Sequence, residues 1–141
     1  MIVHPVIVSI RRLTPLALAL WFASPTHAAD CATLLGSEIP AEAIGLPTRG
    51  AQVVAANAVA AGGSAPQTFG AYCDISAEIR PIDRAAPPIR MRLALPEQWN
   101  HKALMLGGGG YTGTLPNVAG NVPAGPLDQP TPLGRGYAVF G

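Results

Sequence analysis

The chain has 141 residues, 49% hydrophobic, 12% charged and 6% aromatic, with a formal net charge of +1. That length holds one modest domain, and the near-neutral balance excludes the basic stripe of a nucleic-acid binder or of a protein steered to anionic membranes. The 16 Gly and 15 Pro are spread widely and break long helices, which excludes a helix bundle.

Residues 1–28 predict a secretory signal. Arg11 and Arg12 precede the apolar core LTPLALALWFASP, and Thr26-His27-Ala28 offers small residues to a signal peptidase, so cleavage is expected after Ala28. A membrane anchor would need about 20 unbroken apolar residues, whereas Pro15 and Pro25 bracket a shorter run. The mature chain, residues 29–141, is expected to be secreted or periplasmic and free of the membrane once the signal is removed. In such oxidising compartments Cys31 and Cys73 favour a disulfide, which would tie the mature N-terminus to the first regular strand. Closing a loop of about 40 residues adds roughly 3 to 4 kcal/mol in the chain-entropy model. A metal pair or a catalytic thiol lacks support, because there is no C-x-x-C and, once His27 leaves with the signal, no His near either cysteine.

The mature chain opens with DCATLLGSEIP, where Asp30 can cap a short helical turn that Gly36 ends and Pro40 closes. TRGAQVVAANAVAAGGSAPQTFG follows. Its Ala/Val middle fits strand or helix, and its Gly-Gly-Ser-Ala-Pro tail predicts an exposed loop. YCDISAEIRP then alternates Cys73, Ile75, Ala77 and Ile79 with Asp74, Ser76, Glu78 and Arg80, the pattern of a half-buried strand. PIRMRLALP repeats the period, with Ile89, Met91, Leu93 and Leu95 expected inward and Arg90 and Arg92 outward. The two predict an antiparallel hairpin across the connection from Pro81 to Pro88. KALMLG and GYAVFG are continuous apolar runs, expected as strands covered on both faces. Between them the chain is rich in Gly and Pro, and TPLGRG alone fits a helical turn. The sequence stops at Gly141 directly after a buried-type strand, so we expect it to be the beginning of a longer polypeptide.

Four consecutive glycines, Gly107 to Gly110, follow the KALML run. Gly108, Gly110 and Gly113 formally satisfy G-x-G-x-x-G, with Asp128 near the place of a ribose ligand. A dinucleotide site also needs a helix to begin there, which Leu115-Pro116, Gly120, Pro123, Gly125 and Pro126 oppose. No G-K-[ST] phosphate loop is present. Two readings remain: a flexible turn, or an oxyanion hole in which a bare backbone N–H must approach the oxygen of a tetrahedral acyl-transfer intermediate.

LALPEQWNHKALMLGGGGYTG and the later LGRGYAVFG, taken with the spacing from Cys31 to Tyr72-Cys73, resemble the tannase and feruloyl esterase family of secreted α/β-hydrolases. The resemblance runs from about Cys31 to Gly141. It implies an α/β fold, of which this chain would be the incomplete N-terminal part: the first strands of the central sheet, antiparallel at the start and core strands after. It implies that Gly110 donates the oxyanion-hole N–H while Gly107, Gly108 and Gly109 shape the loop, and that Cys31–Cys73 is a structural disulfide. Trp99 would be a packing anchor and Asn100 a turn residue. His101 stands where the family usually carries glycine.

A serine esterase also needs a nucleophile on a sharp elbow, a histidine base and an acid. There is no G-x-S-x-G here. Ser37, Ser64 and Ser76 fall in a turn, a Gly-rich loop and a polar strand face, and His101 is the one histidine left after His4 and His27 depart with the signal. The resemblance implies that serine, aspartate and histidine lie beyond the point matching Gly141, together with a lid domain and its calcium site; no cofactor is implied for this chain. The expected function is carboxylic ester hydrolysis, with a small aromatic ester of the galloyl or feruloyl type as substrate. A different class is an exported, disulfide-linked β-rich module, or an inactive gene fragment, without catalysis, binding a partner by strand addition. Cooperative folding of residues 29–141 alone would favour that second class.

Overall fold

A computed structural model describes residues 30–107 and 113–141. The predicted signal segment, and Gly108, Gly109 and Gly110 of the glycine run, lie outside the described residues.

The lead-in forms as its sequence suggests. The Asp30 carboxylate accepts from the Ala32 N–H at 3.2 Å and starts a 3-10 turn over Cys31–Leu34, satisfying a donor that the helical ladder leaves free. The strands are β1 (Glu38–Ile39), β2 (Thr48–Val59), β3 (Gly62–Ser64), β4 (Gln67–Phe69), β5 (Tyr72–Pro81), β6 (Ile89–Pro96), β7 (Ala103–Met105) and β8 (Ala138–Phe140). The Ala/Val segment that fitted either state is thus a strand of 12 residues. Its β-branched and small residues pair along almost the whole of β5, and that partner settles a choice local propensity left open. The Gly-Gly-Ser-Ala-Pro tail is exposed but not a plain loop: it folds into the two-stranded β3–β4 hairpin.

Six strands form one mixed sheet in the order β1-β2-β5-β6-β8-β7. All neighbours are antiparallel except β7 and β8, which run parallel. The expected β5–β6 hairpin is present, with Cys73 opposite Leu95 and Ile75 opposite Leu93. The described residues are sheet-rich, with three short 3-10 turns and no α-helix, one of those turns being Leu133–Arg135 within TPLGRG. β8 lies between β6 and β7, so the chain leaves β7, crosses over through residues 106–137 and returns on the inner side of the strand it left.

Apolar side chains pack on both faces of the sheet, because successive residues of a strand point to opposite sides. On one face Cys73, Ile75 and Val53 gather with Leu93, Leu95, Cys31 and Leu34, so the lead-in turn covers that side. On the other, Tyr72, Ala94 and Val139 meet Leu106, Val118 and Leu133, so the crossover covers that side. Two expectations are corrected by this arrangement. In β6, Ile89 is 57% exposed, and the fully enclosed residue is Ala94, from the row expected to face solvent. The cause is the crossover, which lays Val118 and Leu133 against that row. In β7, Met105 is 67% exposed and Ala103 is also exposed, while Leu104 and Leu106 point inward. Among the described residues β7 is therefore covered on one face, because no segment packs over the other.

The disulfide joins Cys31 to Cys73 with their Cα atoms 5.6 Å apart, within the ordinary range for a bridge. It pins the lead-in turn to the start of β5, and no free cysteine remains. Glu38 and Arg80 form a second link between the lead-in and β5 as an exposed ion pair.

Candidate active site

The site begins where the two parallel strands end. The Leu106 N–H donates to the Phe140 carbonyl at 2.7 Å, which continues the β7–β8 pairing one step past β7. Gly141 and Arg92 exchange backbone hydrogen bonds of 2.8 and 3.0 Å, which ties the end of β8 to β6. A Cβ on Gly141 would collide with the Leu106 carbonyl and the Pro116 ring, so the bare backbone of the strand end lies against both. The glycine run thus leaves the sheet from a point held on two sides. Gly107, the one described residue of the four, is exposed, and a Cβ placed on it would meet nothing within 4 Å. The protein's own packing does not demand glycine there.

Beside this point lies a cleft of about 620 Å³ lined by Pro88, Arg90, Leu106, Thr114, Leu115 and Pro116 among others. Its position fits a general rule: in sheets with parallel strands, ligands bind outside the carboxyl ends of the strands, where the strand order reverses. Here the reversal is the return from β7 to β8.

The electrostatics of the adjoining face are set by one ion pair. Arg92 reaches Asp74 through Nε at 2.7 Å and Nη2 at 2.6 Å, a two-pronged charge-assisted contact across β5 and β6. The hydrogen bond to Asp74 holds the Arg92 guanidinium pKa above its ordinary value, against the opposing effect of burial. Tyr72 packs edge-on to Phe69, ring centroids 5.6 Å apart. Burial raises its phenol pKa above the ordinary 10.0, the Asp74 charge adds to this and Arg92 opposes it. The folded-state pKa exceeds the unfolded one, so the unfolded chain releases the proton first; stability from this group is intact below about pH 10 and falls as pH rises through the folded value. Tyr72→Phe is therefore expected to flatten the alkaline decline of the melting temperature above pH 10; a decline as steep as in the wild type would show that this phenol does not drive it.

The WNHK turn sits at the opposite, amino ends of β7 and β8. Trp99, expected as a packing anchor, packs within its own turn and not in the core. It is 44% exposed, donates from Nε1 to the Lys102 carbonyl at 2.9 Å and lies tilted against His101 with ring centroids 4.9 Å apart. His101 has φ 63, the left-handed region that suits glycine. The histidine is exposed and far along β7 from the glycine run. Ser37 lies between the lead-in turn and β1, Ser64 in β3 and Ser76 on β5, so the structure gathers none of them at the strand ends where Gly107 lies. Residues 113–137, which a dinucleotide site would need as a helix, hold turns and the single 3-10 turn. Sequence reasoning missed the Asp74–Arg92 pair and the ties between the WNHK turn and the LGRG segment. The first carried a signal of its own, opposite charges two positions out of register on strands already expected to pair.

Residues 73–141 match the family model described as tannase and feruloyl esterase. The chain is 43% identical over 122 residues to a protein of Agrobacterium fabrum described as an uncharacterized esterase, an alignment covering 85% of this chain and 22% of that protein. The chain thus spans less than a quarter of the length of that relative. The matched region runs from the bridged cysteine of β5 through the glycine run to the end of β8, and over those residues the chain is a tannase-like family segment.

Proposed function

We propose that this chain is the part of a secreted serine carboxylic ester hydrolase that supplies the oxyanion-hole loop, and that its sheet is the start of an α/β-hydrolase fold. The observation that carries the reading is the position of the glycine run. Counted from Tyr72, β7 is the third strand, and in that fold an N–H from the loop after the third strand helps to build the oxyanion hole. The family match covers the same strands, which supports the same count.

In the proposed reaction a serine Oγ attacks the ester carbonyl as a histidine takes its proton. The tetrahedral oxyanion is held by the Gly110 N–H, with Gly107, Gly108 and Gly109 leaving the loop bare enough for the substrate to approach. Collapse expels the alcohol, which takes the proton back from histidine; water then repeats the sequence and releases the acid. Serine, histidine and aspartate belong to the longer protein. The substrate class is a small ester of an aromatic acid, galloyl or feruloyl in type, and the half-apolar cleft beside Gly107 is of a size for such a ring. Calcium is assigned to a lid outside this segment. Among the described residues no three His, Cys, Asp or Glu side chains converge as a metal ion would need.

The test uses the natural full-length protein. It should hydrolyse a galloyl or feruloyl methyl ester and lose that activity on stoichiometric labelling by an aryl phosphonate, with mass spectrometry placing the adduct on one serine. A protein that neither turns over aryl esters nor takes up the phosphonate would overturn the proposal.

A further inference from the structure

A parallel pair of three-residue strands has no hairpin to set its register. β7 and β8 are joined only through the crossover, and among the described residues β7 has no other neighbour in the sheet. A slip of one residue would turn Met105 inward and Leu104 out to solvent, because side chains alternate faces. Something at the strand starts must fix the alignment that pairs Ala103 with Ala138 and Met105 with Phe140.

The structure assigns that task to Asn100: we propose that it is the positioning residue that locks the start of β7 to the start of β8. Its side chain works in both directions. Oδ1 accepts from the Lys102 N–H at 2.9 Å, within its own turn, while Nδ2 donates to the Arg135 carbonyl at 2.8 Å, on the segment that leads into β8. Its backbone N–H donates to the Gly136 carbonyl at 2.9 Å. The next step along the pair, Ala138 N–H to the Lys102 carbonyl at 3.0 Å, follows directly. Gly136 permits this closeness. Its φ is 82, and a Cβ there would lie 2.8 Å from the Gln98 carbonyl oxygen and 3.4 Å from the Asn100 Cβ. Lys102 and Arg135, one from each side, lie over the Tyr137 ring at 6.0 and 5.5 Å from its centroid and add to the same junction.

Only a side chain that donates and accepts at once satisfies both partners. Aspartate keeps the acceptor for Lys102 but turns a carboxylate on the Arg135 carbonyl, and alanine keeps neither. The consequence for catalysis rests on the proposed function, since the register of β7 and β8 sets the relative position of the strand ends beside the cleft. The consequence for register does not.

The experiment compares Asn100→Asp and Asn100→Ala with the wild type in the full-length protein, by amide hydrogen exchange and by ester hydrolysis. Protection of the Leu106 and Ala138 amides should fall about tenfold or more while the β5 and β6 amides keep theirs. Over the same variants kcat should fall with KM nearly unchanged, since misplacement of reacting groups weighs on the transition state more than on binding. Loss spread evenly into β5 and β6 would mean a general structural role, and unchanged protection at Leu106 and Ala138 would mean none; either overturns the inference. Local loss with wild-type kcat removes its catalytic half. Local loss in a protein whose wild type cleaves no ester upholds the register role and overturns the proposed function instead.

Discussion

Gly110→Pro should lower kcat of the full-length enzyme by about 10²- to 10³-fold, the loss that follows removal of one oxyanion-hole donor and equivalent to about 3 kcal/mol of transition-state stabilisation. Proline takes away the one atom the proposal depends on, the backbone N–H. It also adds a ring, so a second variant is needed to separate donor from space. Gly110→Ala keeps the N–H and adds only a methyl group. If the donor is what matters, alanine should fall between wild type and proline, with its loss appearing first in KM as the substrate is crowded. Proline at wild-type activity would remove Gly110 from the mechanism. Equal damage by alanine and proline would assign the run to steric access rather than to oxyanion binding. At Gly107 a side chain meets open space, so Gly107→Ala should fold as the wild type does.

Replacing both cysteines, Cys31→Ser with Cys73→Ser, should destabilise this region by about 4 kcal/mol in the chain-entropy model for a separation of 42 residues. The structure adds a packing reason. The bridge holds the lead-in turn, with Leu34, over Val53, Ile75, Leu93 and Leu95, and without it a turn of four residues has little else to keep it there. Its remaining links to the sheet are two backbone bonds, Gly36 N–H to the Val53 carbonyl and Val53 N–H to the Ser37 carbonyl, each 2.9 Å, the short β1 and the exposed Glu38–Arg80 ion pair. Urea midpoints of the double variant and of the thiol-reduced wild type should coincide, both well below the oxidised wild type. A shift under about 1 kcal/mol would mean that the bridge forms without contributing to the fold.

Much of this architecture was readable from residue order because the relevant signals are local. Strict alternation in YCDISAEIRP marks β5, prolines at 81 and 88 bracket the hairpin, and the cap at Asp30 and the breaks at Gly36 and Pro40 delimit the lead-in turn. Where a second segment decides the outcome, the same reasoning had less to work with. The Ala/Val stretch became β2 because β5 offered it a partner. Ala94 is enclosed and Ile89 exposed because the crossover, distant in sequence, covers the opposite end of the opposite face. Asn100 reads as an ordinary turn residue until the structure places Arg135 and Gly136 within hydrogen-bonding reach of it.

Composition, the spacing of apolar residues and the unusual run of four glycines by themselves determined that this is a Gly/Pro-punctuated β-rich chain with a bare backbone segment after a strand, and the short motifs around that run pointed to its family. Tertiary structure alone decided that the last strand inserts between β6 and β7, that the sheet is packed on both faces by two different segments, and that an amide side chain at the far end aligns the two parallel strands. The division has a physical cause. Periodicity and turn chemistry act over a few residues and are written in their order, whereas burial and register depend on which distant segment arrives as the neighbour.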